Sequence, residues 1–211
     1  MRQKLEKEAE ITSEYIIQAK KLVPLTLYFD NDQPDPESND STTLTSYDAL
    51  FHDYMMKIED YKEGYSYNLP LEQKDLLINE INSFFLGQVQ NGMDRLENFL
   101  AILEIVLKRG QKAEIILQSY ASPLNTAEYN QALSKRRIEC LKNFLISYKD
   151  SVLLPYFQSN RLILLQISYG ETAARQGISD DINDLRNSVY SPAAAKERRI
   201  ELIAVEILQN N

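Results

Sequence analysis

The strongest constraint on this chain is an apolar stripe too wide for one contact surface. Between Gln88 and Lys108, Val89, Met93, Leu96, Leu100, Leu103 and Leu107 recur at helical spacing, and Phe99, Ile102 and Val106 widen the face. A helix apolar over so broad an arc packs against a sheet on one side and another helix on the other. Gly110 is placed to stop it. Four short runs read as the strands that such a helix needs: Leu25 to Phe29, Lys112 to Gln118, Arg161 to Tyr169 and Arg199 to Ile207.

The remaining segments alternate with these. Residues 3–22 read as a helix, with Ile11, Tyr15, Ala19 and Leu22 on one side and Pro24 ending it. Thr43 to Tyr65 reads as a helix, and a second follows with Leu77, Ile81 and Phe84 in register. Thr126 to Tyr148 is a further helix, Glu171 to Ser191 is polar and irregular, and Pro192 to Glu197 suits a short helical turn. The order of elements indicates an α/β chain of the α+β sandwich kind, with a mixed sheet of about four strands. No internal repeat is visible.

Charge and rare residues narrow the function. The net charge of −8 argues against nucleic acid and against an anionic membrane surface. No run of about 18 apolar residues marks a membrane span. Met1 to Leu22 is too charged for a signal peptide, so an envelope role implies a removed leader or a longer parent protein. Cys140 is the single cysteine and sits among apolar helical positions, with Leu133 and Phe144 on its side, as a small hydrophobe does. His52 is the single histidine, which disfavours His-based metal sites and Ser-His or Cys-His pairs.

Two stretches carry competing readings. Asp30 to Ser41 (DNDQPDPESNDS) has five carboxylates and two prolines, so it is a loop; a calcium site there lacks the EF-hand ligand order and glycine. Tyr47, Phe51, Tyr54, Ile58, Tyr61 and Tyr65 form one helical face, either for packing or as an aromatic strip that binds sugar or protein.

Four ordered segments resemble the OmpA-like C-terminal, peptidoglycan-binding family. Leu27 to Asp32 is similar to its opening strand. Ser119-Tyr120-Ala121-Ser122, then Tyr129-Asn130-Gln131 and Leu133-Ser134-Lys135-Arg136-Arg137, resembles its GYTD loop and N-x-x-LS-x-x-R helix. Tyr169-Gly170-Glu171 resembles GxGE, and Glu197 to Leu202 resembles NRRVEI. The likeness spans about Pro24 to Ile207. It implies residues 1–23 as an N-terminal helix or linker and 24–211 as the domain, with helices on one face of the sheet and a helical insertion at about 33–91. The expanded form looks like the one ending certain Bacteroidota envelope proteins, some associated with secretion machinery.

The resemblance implies a non-catalytic module that anchors an envelope protein or complex to the cell wall. It would do so by gripping the zwitterionic diamino acid of the peptidoglycan stem peptide. That places it in the periplasm, associated with the outer membrane through an upstream region, with no cofactor or metal and no membrane insertion of its own. The implied site comprises Asp30, Asp32, Tyr120, Ala121, Ser122, Asn130, Leu133, Arg137 and Arg198. Arg137 falls on the carboxylate-binding Arg, and a planar guanidinium suits a carboxylate. Asn130 lies two helical turns earlier, so it shares that side of the helix, to orient the ligand or to close the loop. Of the neighbouring Arg198 and Arg199, one reaches the pocket, Arg198 being the better placed, and Glu171 is structural.

The sequence departs from the family pattern at Ser122, where the acid for the ligand's ammonium is expected. Losing a hydrogen bond to a charged group costs about 1.5–3 kcal/mol, roughly 10- to 100-fold in affinity. Asp32 is the preferred substitute. The alternative function is a scaffold subunit of a multiprotein envelope or secretion machine with weakened or lost wall binding. In either case the N-terminal helix or the Tyr-rich insertion is a candidate surface for a protein partner. An enzyme using paired carboxylates has no pair at fixed spacing to support it.

Overall fold

Four strands form one sheet in the order β1-β4-β2-β3: β1 (Leu25–Tyr28), β2 (Lys112–Tyr120), β3 (Leu162–Gly170) and β4 (Arg199–Leu208). The computed structural model describes residues 2–172 and 178–208. β4 runs antiparallel to both β1 and β2, whereas β3 runs parallel to β2. The mixed sheet with its helices is the expected α+β sandwich. Alternation on β2 buries Ala113, Ile115, Leu117 and Ser119 on one face. Leu165, Ile167 and Leu208 are exposed on the outer part of the sheet.

The wide stripe becomes α5 (Asn91–Lys108), whose Phe99, Leu100 and Leu103 are fully buried. Each such side chain contributes about 1.5–3 kcal/mol of burial. Helix α5 seats directly on β1: a Cβ at Gly92 would lie 2.3 Å from the Thr26 carbonyl oxygen, so only glycine permits this approach. On its other side lies α1 (Arg2–Leu22), where Ala19 is fully buried and the Arg109 guanidinium stands 5.6 Å from the Tyr15 ring. The N-terminal helix therefore docks on its own chain. No helix of the described residues is long and apolar enough to cross a membrane.

The region expected as a helical insertion is helical but segmented differently from the expectation. The helix expected over Thr43 to Tyr65 divides into α2 (Tyr47–Met56) and α3 (Ile58–Ser66) at Lys57, which has φ −85 and ψ 6. Lys57 turns its ammonium onto Asp30 at this break. The next helix, α4 (Leu71–Phe84), runs without a loop through a π-helical turn at Phe85–Gln90 into α5. That wider turn lets Phe84, Phe85 and Val89 all be buried.

The buried rings of the aromatic strip form a packing face. Tyr47, Phe51, Tyr54 and Tyr61 are buried, and the Tyr61 ring packs edge-on against Tyr54, Phe85 and Tyr190. These rings join the same core cluster as the sheet. These helices thus enlarge the main core.

Past β2, α6 (Ala127–Ser151) loses helical geometry at Tyr148 to Asp150, and a short α7 (Leu154–Gln158) leads into β3. Of the stretch read as irregular, residues 173–177 lie outside the described residues. Its later part is more ordered than expected: Arg186–Tyr190 forms a π-helical turn before α8 (Pro192–Ala195). Cys140 is buried on α6, and burial pushes its thiol pKa up.

Candidate functional site

The site is organised by the first two turns of α6. Thr126 has extended ψ and its hydroxyl accepts the Tyr129 N–H at 3.3 Å, capping the helix. Two turns along, the adjacent Arg136 and Arg137 are both fully buried. Arg136 donates to the Pro34 carbonyl at 3.2 Å, to the Asp40 carbonyl at 2.6 Å and to the Ser38 carbonyl. Its guanidinium lies 5.3 Å from the Tyr129 ring. The loop after β1 is thereby wrapped around one cation.

Arg137 ties that loop to the end of β2. Its Nε donates to the Gln33 carbonyl at 3.0 Å and its Nη1 to the Tyr120 carbonyl at 2.6 Å, while the group stands 5.2 Å from the Phe29 ring. Nη2 is buried with no hydrogen-bond partner. Burial pulls its pKa down to about 9, and the nearby Arg198 charge adds to the pull while Asp32 opposes it. The side chain stays cationic at neutral pH.

Between the start of α6, the β1 loop and the segment before α8 lies a cavity of about 150 Å³. Asp32, Ser122, Asn130 and Leu133 line one side, and Ile182, Leu185 and Val189 the other. Four of the nine residues expected at the site therefore share one wall. Asp32 adopts φ 57, a left-handed conformation that Asp tolerates. Its Oδ1 accepts the Tyr129 hydroxyl and its Oδ2 the Glu37 N–H at 3.1 Å. Among the described residues it is the one carboxylate lining the cavity.

Asn130 closes the loop. Its Nδ2 donates to the Asn125 carbonyl at 3.1 Å and to Glu171 Oε2. Glu171 thus pairs with Asn130.

The other five expected residues are not on the cavity wall, each for a local reason. Asp30 is buried and accepts from Tyr61 Oη at 2.6 Å, from the Asn31 N–H at 2.7 Å and from Lys57, so the insertion holds it. Arg198 is fully buried and donates to the Val189 carbonyl at 2.8 Å and to Tyr61 Oη at 3.1 Å. It braces the cavity's far wall from behind. Tyr120 turns its ring to the opposite face of the sheet, stacked on Tyr169 with centroids 5.2 Å apart and with Arg199 4.0 Å from its centroid. Ala121 is buried against Tyr129 and Leu133, and its N–H donates to the Gly170 carbonyl at 2.7 Å. Arg137 is sequestered by the carbonyls already named.

Sequence reasoning quoted Tyr129 and Arg136 without giving them a role at the site, although they are seven apart on α6, as Asn130 and Arg137 are. It also missed the far wall, whose signal was the helical spacing of Ile182, Leu185 and Val189. Among the described residues, no group of three or more His, Cys, Asp or Glu side chains converges as a metal site. Chemically, the cavity offers an acceptor for a cation at Asp32, with neutral amides and a hydroxyl beside it. The N-terminal N–H groups and positive dipole end of α6 suit an anion next to it. No family model, curated protein or solved structure matches this chain.

Proposed function

We propose that this chain is a non-catalytic peptidoglycan-binding module, anchoring an envelope protein or complex to the cell wall through the stem-peptide diamino acid. The observation that carries the reading is the cavity where Asp32, Ser122, Asn130 and Leu133 meet. These positions are separated in the sequence, and the resemblance to the OmpA-like family draws on all four. At about 150 Å³ the cavity has room for a few waters of about 30 Å³ each, which suits the end of one amino acid and not a disaccharide. In this reading Asp32 accepts from the ligand's ammonium in place of an acid at Ser122. The ligand's carboxylate faces the start of α6. The proposed setting is the periplasm, with membrane attachment through another part of the parent protein.

A second reading has one observation in its favour. Arg137 is spent on the Gln33 and Tyr120 carbonyls, so the residue expected to grip the carboxylate instead holds the fold. That suits a scaffold subunit of an envelope or secretion assembly in which wall binding has weakened. Sedimentation with purified peptidoglycan sacculi separates the two, comparing wild type with Asp32→Asn, which keeps the size and the left-handed backbone. Wild type that sediments and a variant that does not, with equal melting temperatures, supports wall binding through Asp32. Wild type that stays in the supernatant sinks the anchoring proposal, and release of soluble muropeptides makes the chain an enzyme.

A further inference from the structure

The loop after β1 serves two cavities. Asn31 and Asp32 line the one described above, and their neighbours Asp30 and Gln33 line a second, of about 390 Å³. This second cavity opens between the loop and the break at Lys57 that divides α2 from α3. Asp53 reaches it from the last turn of α2 and Asp60 from the first turn of α3, so the break brings the two carboxylates to one place.

Three carboxylates meet one ammonium here. Lys57 ion-pairs with Asp30, and that hydrogen bond raises the Lys57 pKa, with the charges of Asp30, Asp60 and Asp53 adding to the effect. Asp30 is further committed to the Tyr61 hydroxyl and the Asn31 N–H. Asp53 and Asp60 are exposed, and among the described residues no hydrogen bond or close ion pair engages either side chain. The cavity therefore holds more negative charge than Lys57 neutralises. Tyr54 also lines it and is 1 % exposed; its hydroxyl is buried with no hydrogen-bond partner, in the field of the Asp30 charge. A buried hydroxyl without a partner is costly and calls for a group to meet it. Met56, 82 % exposed, and the half-buried Leu50 supply an apolar flank.

We propose that this second cavity is a docking pocket for an arginine side chain presented by a protein partner. The surplus carboxylate charge selects a cation. A bare metal ion is not the guest, since among the described residues no three His, Cys, Asp or Glu side chains gather closely enough to hold one. The guest has to serve carboxylates on two helices and a phenol, which the five N–H donors of a planar guanidinium can do and a point-like ammonium cannot. Its methylene stem lies along Leu50 and Met56, and a methionine adapts its shape to such a guest. Exposed ion pairs are individually weak, so the arginine belongs to a partner that adds contacts of its own. It sits beside Lys57, whose ammonium keeps Asp30, and the repulsion between the two cations limits how tightly the pocket holds. The site is independent of wall binding, because neither Asp53 nor Asp60 lines the first cavity.

The test is amide NMR of the whole isotope-labelled chain. It is titrated with the acetylated, amidated peptide Gly-Ser-Arg-Ser-Gly and with the same peptide carrying citrulline, which keeps arginine's shape without its charge. The arginine peptide shifts the amides of Asp53, Tyr54, Lys57 and Asp60 saturably at millimolar concentration, and the citrulline peptide leaves them in place. Asp53→Asn with Asp60→Asn weakens the arginine peptide at least ten-fold at an unchanged melting temperature, because both side chains are exposed. Lys57→Met tightens it at least three-fold while lowering the melting temperature through loss of the ion pair with Asp30, whereas a lysine that only held the pocket's shape would move binding the other way. Arginine and citrulline peptides that act alike overturn the proposal. So do shifts confined to Asn31 and Asp32, asparagine variants that bind as wild type does, or a Lys57→Met chain that binds more weakly. Should a variant fail to fold, the comparison of the two peptides on the unaltered chain decides alone.

Discussion

Replacing Arg137 by alanine tests whether this side chain serves the fold or a ligand. The guanidinium is fully buried and satisfies two backbone carbonyls, of Gln33 and Tyr120, from opposite sides of the site. Removing it leaves the buried Tyr120 carbonyl and the part-buried Gln33 carbonyl without this donor, at about 1–3 kcal/mol each. Losing the contact with the Phe29 ring adds about 0.5–2 kcal/mol. Part of this is offset, because the wild type buries a cation whose Nη2 has no partner. The net expectation is a loss of about 3–5 kcal/mol, as for removing one member of a buried charged network. In a chain of this size each kcal/mol lowers the melting temperature by about 2–4 °C, so the fall is about 6–20 °C. Thermal unfolding followed by far-ultraviolet circular dichroism measures it, with Arg137→Lys intermediate because its ammonium is a point donor without the fork. A melting temperature within about 2 °C of wild type for Arg137→Ala would refute the reasoning: the carbonyl bonds would then be worth little, leaving the guanidinium free for a ligand. It also follows that Arg137→Ala is a poor probe of wall binding, because unfolding and loss of the ligand contact coincide.

Three further outcomes are expected. Gly92→Ala, which ordinarily stabilises a helix interior by about 1 kcal/mol, here destabilises by about 1–3 kcal/mol in equilibrium denaturation, since its Cβ meets the Thr26 carbonyl oxygen; a gain in stability would show that α5 can lift off β1. Tyr61→Phe costs about 2–3 kcal/mol, because its hydroxyl bridges the buried Asp30 and Arg198, and a variant with an unchanged denaturation midpoint contradicts that bridging role. Burial raises the phenol pKa of Tyr47 and of Tyr61, and pushes that of Tyr54 up to about 12. The folded chain then keeps protons that the unfolded chain releases near pH 10, so these tyrosines contribute stability that is lost as pH rises through that range. Phenolate absorbance should rise in two steps, the second coinciding with unfolding; a single step shared by all thirteen tyrosines would contradict their burial.

The strands and the wide helix were legible because their burial writes a period into the sequence. Ile115 and Leu117 alternate with residues of the other face, and Leu96, Leu100, Leu103 and Leu107 repeat by turns. The break at Lys57 was not legible, since lysine is a good helix former and the interruption coincides with its distant contact to Asp30. The π-helical turn escaped for the opposite reason: its apolar residues continue the pattern of the helices on both sides. At the site, spacing gave Asn130 and Arg137 a common side of α6. It could not tell whether a side chain at that radius meets a cavity or a carbonyl. Asp32 was preferred over Asp30 at the end of β1 without a contact to decide between them; Lys57 and Tyr61, distant in the sequence, occupy Asp30.

The position of β4 has a consequence for how the molecule comes into being. β1 and β2 never touch as paired strands; each is bonded to β4, which follows both in the chain. Until Arg199–Leu208 has been synthesised, β1 has no strand to add to, and β2 can offer only its pairing with β3. Bringing Leu25 to Leu202 closes a loop of almost the whole chain, so assembly is slow and concerted, with the entropy of that closure met in one late step. A chain ending just short of Arg199 would carry every lining residue of the cavity and only the β2–β3 pair of the sheet to hold them in place.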